Sequence, residues 1–186
     1  MQTRDNQMTE EEYLLREPEA EYKSEYRDGR VVAMGGASPA HSVITANILS
    51  SIHGQLKGRP CRVYTSDTRV KVASARFYTY PDVSVVCGEP LFDRQDTSAL
   101  LNPTVIVEVL SPSTEAYDRG MKFEYYKKLS SLREYVLAAQ DETRVERFVR
   151  QGNGEWTAQV LGSTGDSLPL DAIDCRIEVR DIYDKV

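Results

Sequence analysis

The chain has 186 residues, 40% of them hydrophobic, and a formal net charge of −6. That length fits one ordinary globular domain, 1–186, with enough apolar material for a real core. The acidic balance argues against broad, non-specific coating of nucleic acid, for which basic surfaces are the usual footprint, but it leaves room for a local basic patch.

No apolar run approaches the roughly 20 residues needed to cross a bilayer, and the polar N-terminus is no signal peptide. A soluble, cytoplasmic protein with no membrane association is expected. Cys61, Cys87 and Cys175 are odd in number, widely spaced and form no CxxC pair. This argues against both zinc and a disulfide framework, and Cys87, at the end of an apolar run, reads as a core thiol.

In chain order, Met1 to Gln7 is polar and expected to fray. Thr9 followed by Glu10, Glu11 and Glu12 has the pattern of a capping box, with Thr9 as N-cap of a helix that ends before Pro18. Tyr22 to Met34 has the form of a hairpin around the turn dipeptide Asp28-Gly29. Gly35 to Pro39 reads as a loop. His41 to Leu56 carries a helical apolar stripe (Val43, Ile44, Ile48, Leu49, Ile52, Leu56) stopped by Gly58 and Pro60.

Cys61 to Val72 reads as a strand whose last part, Thr68 to Val72, alternates as a half-buried strand does. Two core strands follow, Pro81 to Cys87 and Thr104 to Leu110. Ser113 to Leu129 is helical in pattern, with Tyr117, Met121, Tyr125 and Leu129 about one turn apart. Leu132 to Ala139 is a further apolar strand, and Thr143 to Leu161 a hairpin around Gly152-Asn153-Gly154. The tail to Val186 is irregular or short strand. The order of elements predicts an α/β (α+β) fold with a mixed central sheet flanked by helices and N- and C-terminal hairpins.

The chemistry centres on two carboxylates. Glu108 sits between Val107 and Val109 in a run apolar on both faces, where an uncompensated ion costs several kcal/mol. Asp82 opens the other core run. Its bland reading is a strand-entry cap; that of Glu108 is a buried ion pair with an arginine. The connection from Gly88 to Pro103 is too short for a confident helical crossover, so the strands are expected to be antiparallel neighbours with the two residues roughly opposite. If they share a face, their oxygens can converge on one divalent cation.

Val107-Glu108-Val109-Leu110-Ser111-Pro112-Ser113-Thr114, with Tyr80-Pro81-Asp82-Val83 before it and Asp118-Arg119-Gly120-Met121-Lys122 after it, resembles the Uma-type family of restriction endonucleases within the PD-(D/E)XK nuclease superfamily. The resemblance runs from Thr9 through Tyr135. It implies a restriction-endonuclease-like core and magnesium-dependent phosphodiester hydrolysis, with manganese as a possible substitute. The superfamily pattern wants a lysine two residues after the glutamate, and here that place is Leu110. The resemblance moves the lysine to the following helix, at Lys122, which lies four residues from both Asp118 and Tyr126.

On this reading Asp82 and Glu108 hold the metal and Lys122 stabilises developing negative charge. Glu25 matches the family's N-terminal acidic position, with Glu21 competing for it. His41, at the start of the long helix, is a candidate phosphate contact, and so are Arg69 and Lys71 on the expected polar face of a strand. All three also have ordinary structural readings, and His53 looks like a plain helix residue. DNA is the expected partner and a homodimer the expected assembly. The alternative is a non-catalytic dimeric module that keeps the nuclease fold to bind nucleic acid or protein; the intact Asp82, Glu108 and Lys122 set favours the enzyme. Hydrolysis of a small phosphate ester lacks a glycine-rich phosphate cradle.

Overall fold

The Thr9 hydroxyl accepts the Glu12 N–H, and the Glu12 carboxylate accepts the Thr9 N–H. This capping box opens helix α1 (Glu10–Arg16) in a computed structural model that describes residues 7–186. The fraying expected for the first residues therefore lies, for 1–6, outside the described residues. Strands β1 (Ser24–Arg27) and β2 (Arg30–Ala33) form the expected hairpin, with Asp28 and Gly29 both at positive φ, the backbone that a two-residue hairpin turn requires. Helix α2 (Pro39–Gln55) starts at Ser38, whose hydroxyl accepts the His41 N–H. Ile44, Ile48 and Ile52 recur every four residues and are fully buried, each contributing about 1.5–3 kcal/mol relative to exposure.

Strands β3 (Cys61–Thr65), β4 (Arg69–Val72), β5 (Phe77–Thr79), β6 (Val83–Cys87), β7 (Ala99–Leu100) and β8 (Val105–Leu110) follow. Next comes a broken helix: α3 (Glu115–Tyr117), a π turn (Asp118–Lys122) and α4 (Phe123–Tyr126). The chain ends with β9 (Glu134–Ala139), β10 (Val145–Arg150), β11 (Trp156–Leu161), β12 (Ser167–Leu170), β13 (Cys175–Glu178) and α5 (Val179–Ile182).

The main sheet has the order β11-β10-β9-β8-β6-β3. Only the β8–β9 pair in it is parallel, so the sheet is mixed, as expected. One face, with Val83, Val85, Val105, Val107, Val109 and Val136, packs on α2, β12, β13 and α5. The other, with Val86, Ile106, Leu110 and Leu137, packs on Phe123, Tyr126, Leu129 and Leu132 and on a second sheet of order β2-β1-β5-β4-β7. No helix among the described residues is long and apolar enough to cross a membrane.

Four expectations need correction. Cys61 to Val72 is not one strand: it breaks at a turn into β3 and β4, which belong to different sheets. The alternation at 68–72 does not mark a solvated face either, because all four residues of β4 are buried. Cys61 and Cys87 lie directly across from each other in the β3–β6 pair and are disulfide-bonded, leaving only Cys175 free. Sequence spacing hides that pairing because the antiparallel register creates it. Finally, the helix expected over 113–129 is short and interrupted, and it buries Asp118, Lys122, Phe123, Tyr126 and Leu129 while Met121 is 55% exposed. Of the expected stripe, Tyr117 and Tyr125 are half-buried, Met121 is exposed and Leu129 is buried, while ion pairing and the π turn bring polar residues inward.

Strand β9, the parallel neighbour of β8, is anchored by charge. Glu134 is 1% exposed, takes Arg147 at 2.8 Å on Oε2 and accepts the Ala172 N–H on Oε1. Arg147→Ala strands that carboxylate, and chemical denaturation should show a loss of about 3–5 kcal/mol, the scale for breaking a buried pair from one side. A midpoint and slope equal to wild type would mean that Glu134 is satisfied without the arginine.

Candidate active site

Side chains alternate along β8, so Val105, Val107 and Val109 face α2 while Ile106, Glu108 and Leu110 face α4 and the second sheet. Glu108 is therefore delivered into an apolar layer, 4% exposed. Its Oε1 accepts the Tyr126 hydroxyl at 2.7 Å and meets the Lys122 ammonium at 2.8 Å. Strands β6 and β8 pair antiparallel with Val83 opposite Val107, and one further step puts Asp82 opposite Glu108. Asp82 sits at the mouth of β6, where its Oδ2 accepts the Val109 N–H at 2.7 Å and lies 3.1 Å from His41 Nε2.

The broken helix supplies the rest. Asp118 and Lys122 stand at the two ends of the π turn, a local widening often found at functional sites. The Lys122 ammonium meets three buried carboxylates: Glu108, Asp118 at 3.3 Å and Glu25 at 3.4 Å. Glu25, from β1, accepts the Thr79 hydroxyl on Oε1 at 2.6 Å and the Tyr117 hydroxyl on Oε2 at 2.7 Å. Strands β1 and β8 and the broken helix thus converge on one ammonium, with β5 holding Glu25 through Thr79.

Burial pushes the Glu108 carboxyl up to about 8; Lys122 opposes the rise, and Asp118 and Asp82 add to it. Burial also raises Asp118, again against Lys122. Burial works to lower Lys122, but Glu108, Glu25 and Asp118 outweigh it and hold the ammonium well above the ordinary lysine value. The hydrogen bond to Asp82 raises His41 against the effect of its own burial. Four acidic side chains, Glu25, Asp82, Glu108 and Asp118, gather around Lys122 and His41, with Arg27 4.0 Å from Glu25 Oε2, so the cluster is rich in oxygen donors.

That donor set suits a hard divalent cation. Among the described residues no three His, Cys, Asp or Glu side chains form a ready-made cage. Magnesium does not need one, since it commonly takes one or two carboxylates and completes its octahedron with water and phosphate. Asp82 and Glu108 are the pair that could hold one.

The sequence-level candidates separate here. Glu25, Asp82, Glu108, Lys122 and His41 come together, with His41 touching Asp82. Arg69 and Lys71 have partners elsewhere: Arg69 meets Asp96 at 3.0 Å, and Lys71 meets Glu10 and Asp93, each at 2.9 Å. Sequence reasoning gave no role to Tyr126, Tyr117, Thr79 or Asp118. The four-residue spacing of Asp118, Lys122 and Tyr126 was the available signal for two of them; nothing in the sequence points to Thr79 or Tyr117.

Comparison with known proteins gives a consistent picture. A family model named Uma2 and described as "Putative restriction endonuclease" matches residues 10–180. Two proteins of Synechocystis described as uncharacterized are similar to the chain. One, slr1290, is 38% identical over 95% of this chain and 91% of its own length; the other, sll1609, is 36% identical over 86% and 90%. A solved structure from Anabaena variabilis, described as "a putative nuclease belonging to DUF820", superposes with a TM-score of 0.78 at 21% identity, covering 95% of this chain and 98% of that one. That likeness shows a shared fold.

The raised Glu108 carboxyl has a consequence for stability. Between the ordinary glutamate value of 4.5 and about 8 the folded chain holds a proton that the unfolded chain has already lost. The folded state binds more protons in that window, so stability falls as pH rises through it. Glu108→Gln, which cannot ionise, should flatten the fall. In thermal melts in EDTA at pH 5.0 and pH 8.5, the variant's two melting temperatures should lie closer together than those of wild type. An equal gap would show that Glu108 is ionised across the whole range.

Proposed function

This chain belongs to the Uma2 family, and on that premise we propose that it is a divalent-metal-dependent endonuclease that hydrolyses phosphodiester bonds of DNA. The observation that carries the reading is the set formed by Asp82 across from Glu108 with Lys122 seated on Glu108. Asp82 and Glu108 would hold magnesium or manganese, which when bound polarises a phosphoryl oxygen and lowers the pKa of a water.

The chain's own residues divide the remaining work. His41 and the Val109 N–H fix Asp82 from the α2 side. Lys122, fully charged and held by three carboxylates, presents positive charge beside the reacting phosphate without having to reorganise, which is how preorganised groups favour a transition state. Glu25 holds the lysine from the other side, through Thr79 and Tyr117. The pairing of Arg69 and Lys71 with carboxylates supports a structural role for both rather than phosphate contact.

Cleavage of plasmid and oligonucleotide substrates, single- and double-stranded DNA and RNA, with Mg²⁺ or Mn²⁺ tests the reading. Asp82→Ala and Glu108→Ala should abolish cleavage and weaken metal binding. Lys122→Ala should retain metal binding but lose roughly 10²-fold or more in rate, the scale for removing one preorganised donor. A wild-type protein that cleaves none of these with either metal would favour the non-catalytic module.

We also propose a homodimer built on β11. That strand is the outer edge of the main sheet, and its Thr157, Ala158, Gln159 and Val160 are exposed. The strand contains no charged residue and no proline, the usual protections of a free edge. Pairing with a second copy across a two-fold axis would cover it, in the commonest oligomer symmetry. Light scattering should return twice the chain mass, and Val160→Lys should return the mass of one chain. A wild-type monomer across the working concentration range would overturn the assembly.

A further inference from the structure

The two facing carboxylates are each tied at one oxygen. Glu108 Oε1 takes the Tyr126 hydroxyl and the Lys122 ammonium, and Asp82 Oδ2 takes the Val109 N–H and His41 Nε2. Among the described residues no hydrogen bond ends on Glu108 Oε2 or Asp82 Oδ1, and neither atom is among the sealed polar atoms that lack a partner. Glu25 differs, since both of its oxygens accept hydroxyls, from Thr79 and Tyr117. The pattern divides three carboxylates into two with a spare oxygen and one without.

We propose that Tyr126 is a positioning residue for the cation site: with Lys122 it pins Glu108 Oε1 and so presents Oε2, alongside Asp82 Oδ1, to the metal. This rests on the reading that Asp82 and Glu108 hold a divalent ion. The terminal torsion of a glutamate is broad and roughly two-fold, so a carboxylate held only through its chain can swivel. Two donors on the same oxygen remove that freedom. Their chemistry is complementary. Lys122 brings charge, while the neutral phenol adds a directional bond without further cancelling the negative charge that the metal needs.

Tyr126 is built to be rigid. It is fully buried, with Phe77 and Tyr135 rings at 6.2 and 5.4 Å, and it lies one helical turn beyond Lys122, on the same face. Its hydroxyl donates to Glu108 Oε1 at 2.7 Å. Groups that orient a metal ligand in this way typically influence metal affinity by about 10–100-fold. Glu25, with no spare oxygen, is by the same logic a support for Lys122 rather than a ligand.

The test is isothermal titration of the full chain with Mn²⁺ alone, in the absence of nucleic acid. Tyr126→Phe should bind Mn²⁺ about tenfold or more weakly than wild type. Tyr125→Phe, whose hydroxyl bonds none of the site carboxylates, should bind as wild type does. In melting experiments the rise in melting temperature on adding Mn²⁺ should shrink for Tyr126→Phe; a purely structural role would lower the metal-free temperature and leave that rise intact. In cleavage, the Mn²⁺ concentration for half-maximal rate should increase while the rate at saturating metal changes little. Wild type that binds no Mn²⁺ would overturn the cation reading itself. Wild type that binds, with Tyr126→Phe unchanged in affinity and in metal-induced stabilisation, would overturn only the role of Tyr126.

Discussion

Glu108 is a charged group on a strand that is buried on both faces, and much of the architecture can be understood as compensation for it. Strand β8 lies inside the sheet, between β6 and β9, with apolar layers above and below. A carboxylate there costs several kcal/mol unless it is paired and hydrogen-bonded. Lys122 and Tyr126 answer that cost, but each must be brought from a helix that would otherwise turn its apolar side inward. The π turn between Asp118 and Lys122 shifts the helical phase so that a polar stripe faces the sheet. The buried lysine then requires its own company, which Asp118 and Glu25 provide.

This chain of compensation does not close. Each added carboxylate steadies Lys122 and at the same time raises the negative charge around Glu108, which is why burial and its acidic neighbours leave that carboxyl pushed up to about 8. A cluster evolved for stability alone would replace the set with apolar side chains, since well-packed hydrophobic residues often do as well as buried ion pairs. Buried ion pairs occur elsewhere in the chain as well. Arg147 with Glu134, and Lys71 with Glu10 and Asp93, are buried cations matched by carboxylates. The raised Glu108 carboxyl lies in the cluster at the end of β8, and strongly shifted groups of this kind gather where a site works on a ligand.

The sequence carried the centre of the site and lost its edges. Glu108 was legible because a lone carboxylate in a run of valines has no capping explanation, and the lengths flanking the 88–103 connection placed Asp82 across from it. The hairpins and α2 were legible because turn residues and a four-residue apolar period act locally. Arg69 and Lys71 misled, since alternation along β4 marks a solvated face only if one face is solvated, and α1 with the 93–96 segment covers both residues. The Cys61–Cys87 bond, Thr79 and Tyr117 were invisible for a shared reason: each depends on which strands become neighbours, a property of the whole fold rather than of any segment. The buried polar stripe at 118, 122 and 126 was present in the spacing, but apolar Tyr117, Met121 and Tyr125 offered a competing stripe of the same period.

The charge of the chain sets a final constraint on the proposed activity. A phosphodiester approaching this site meets four acidic side chains, and the charge of Lys122 is shared with three of them before any substrate arrives. Arg69, Lys71 and Arg147 are occupied in ion pairs of their own. In a protein of net charge −6, attraction for a polyanion cannot come from a general basic surface of the kind that dominates non-specific DNA binding. The cation would then have two parts to play, offsetting the carboxylates so that phosphate can enter and completing its own coordination with that phosphate. Metal and nucleic acid should accordingly favour each other's binding, a coupling that is reciprocal by necessity and that ties recognition of the substrate to the two carboxyls proposed to hold the ion.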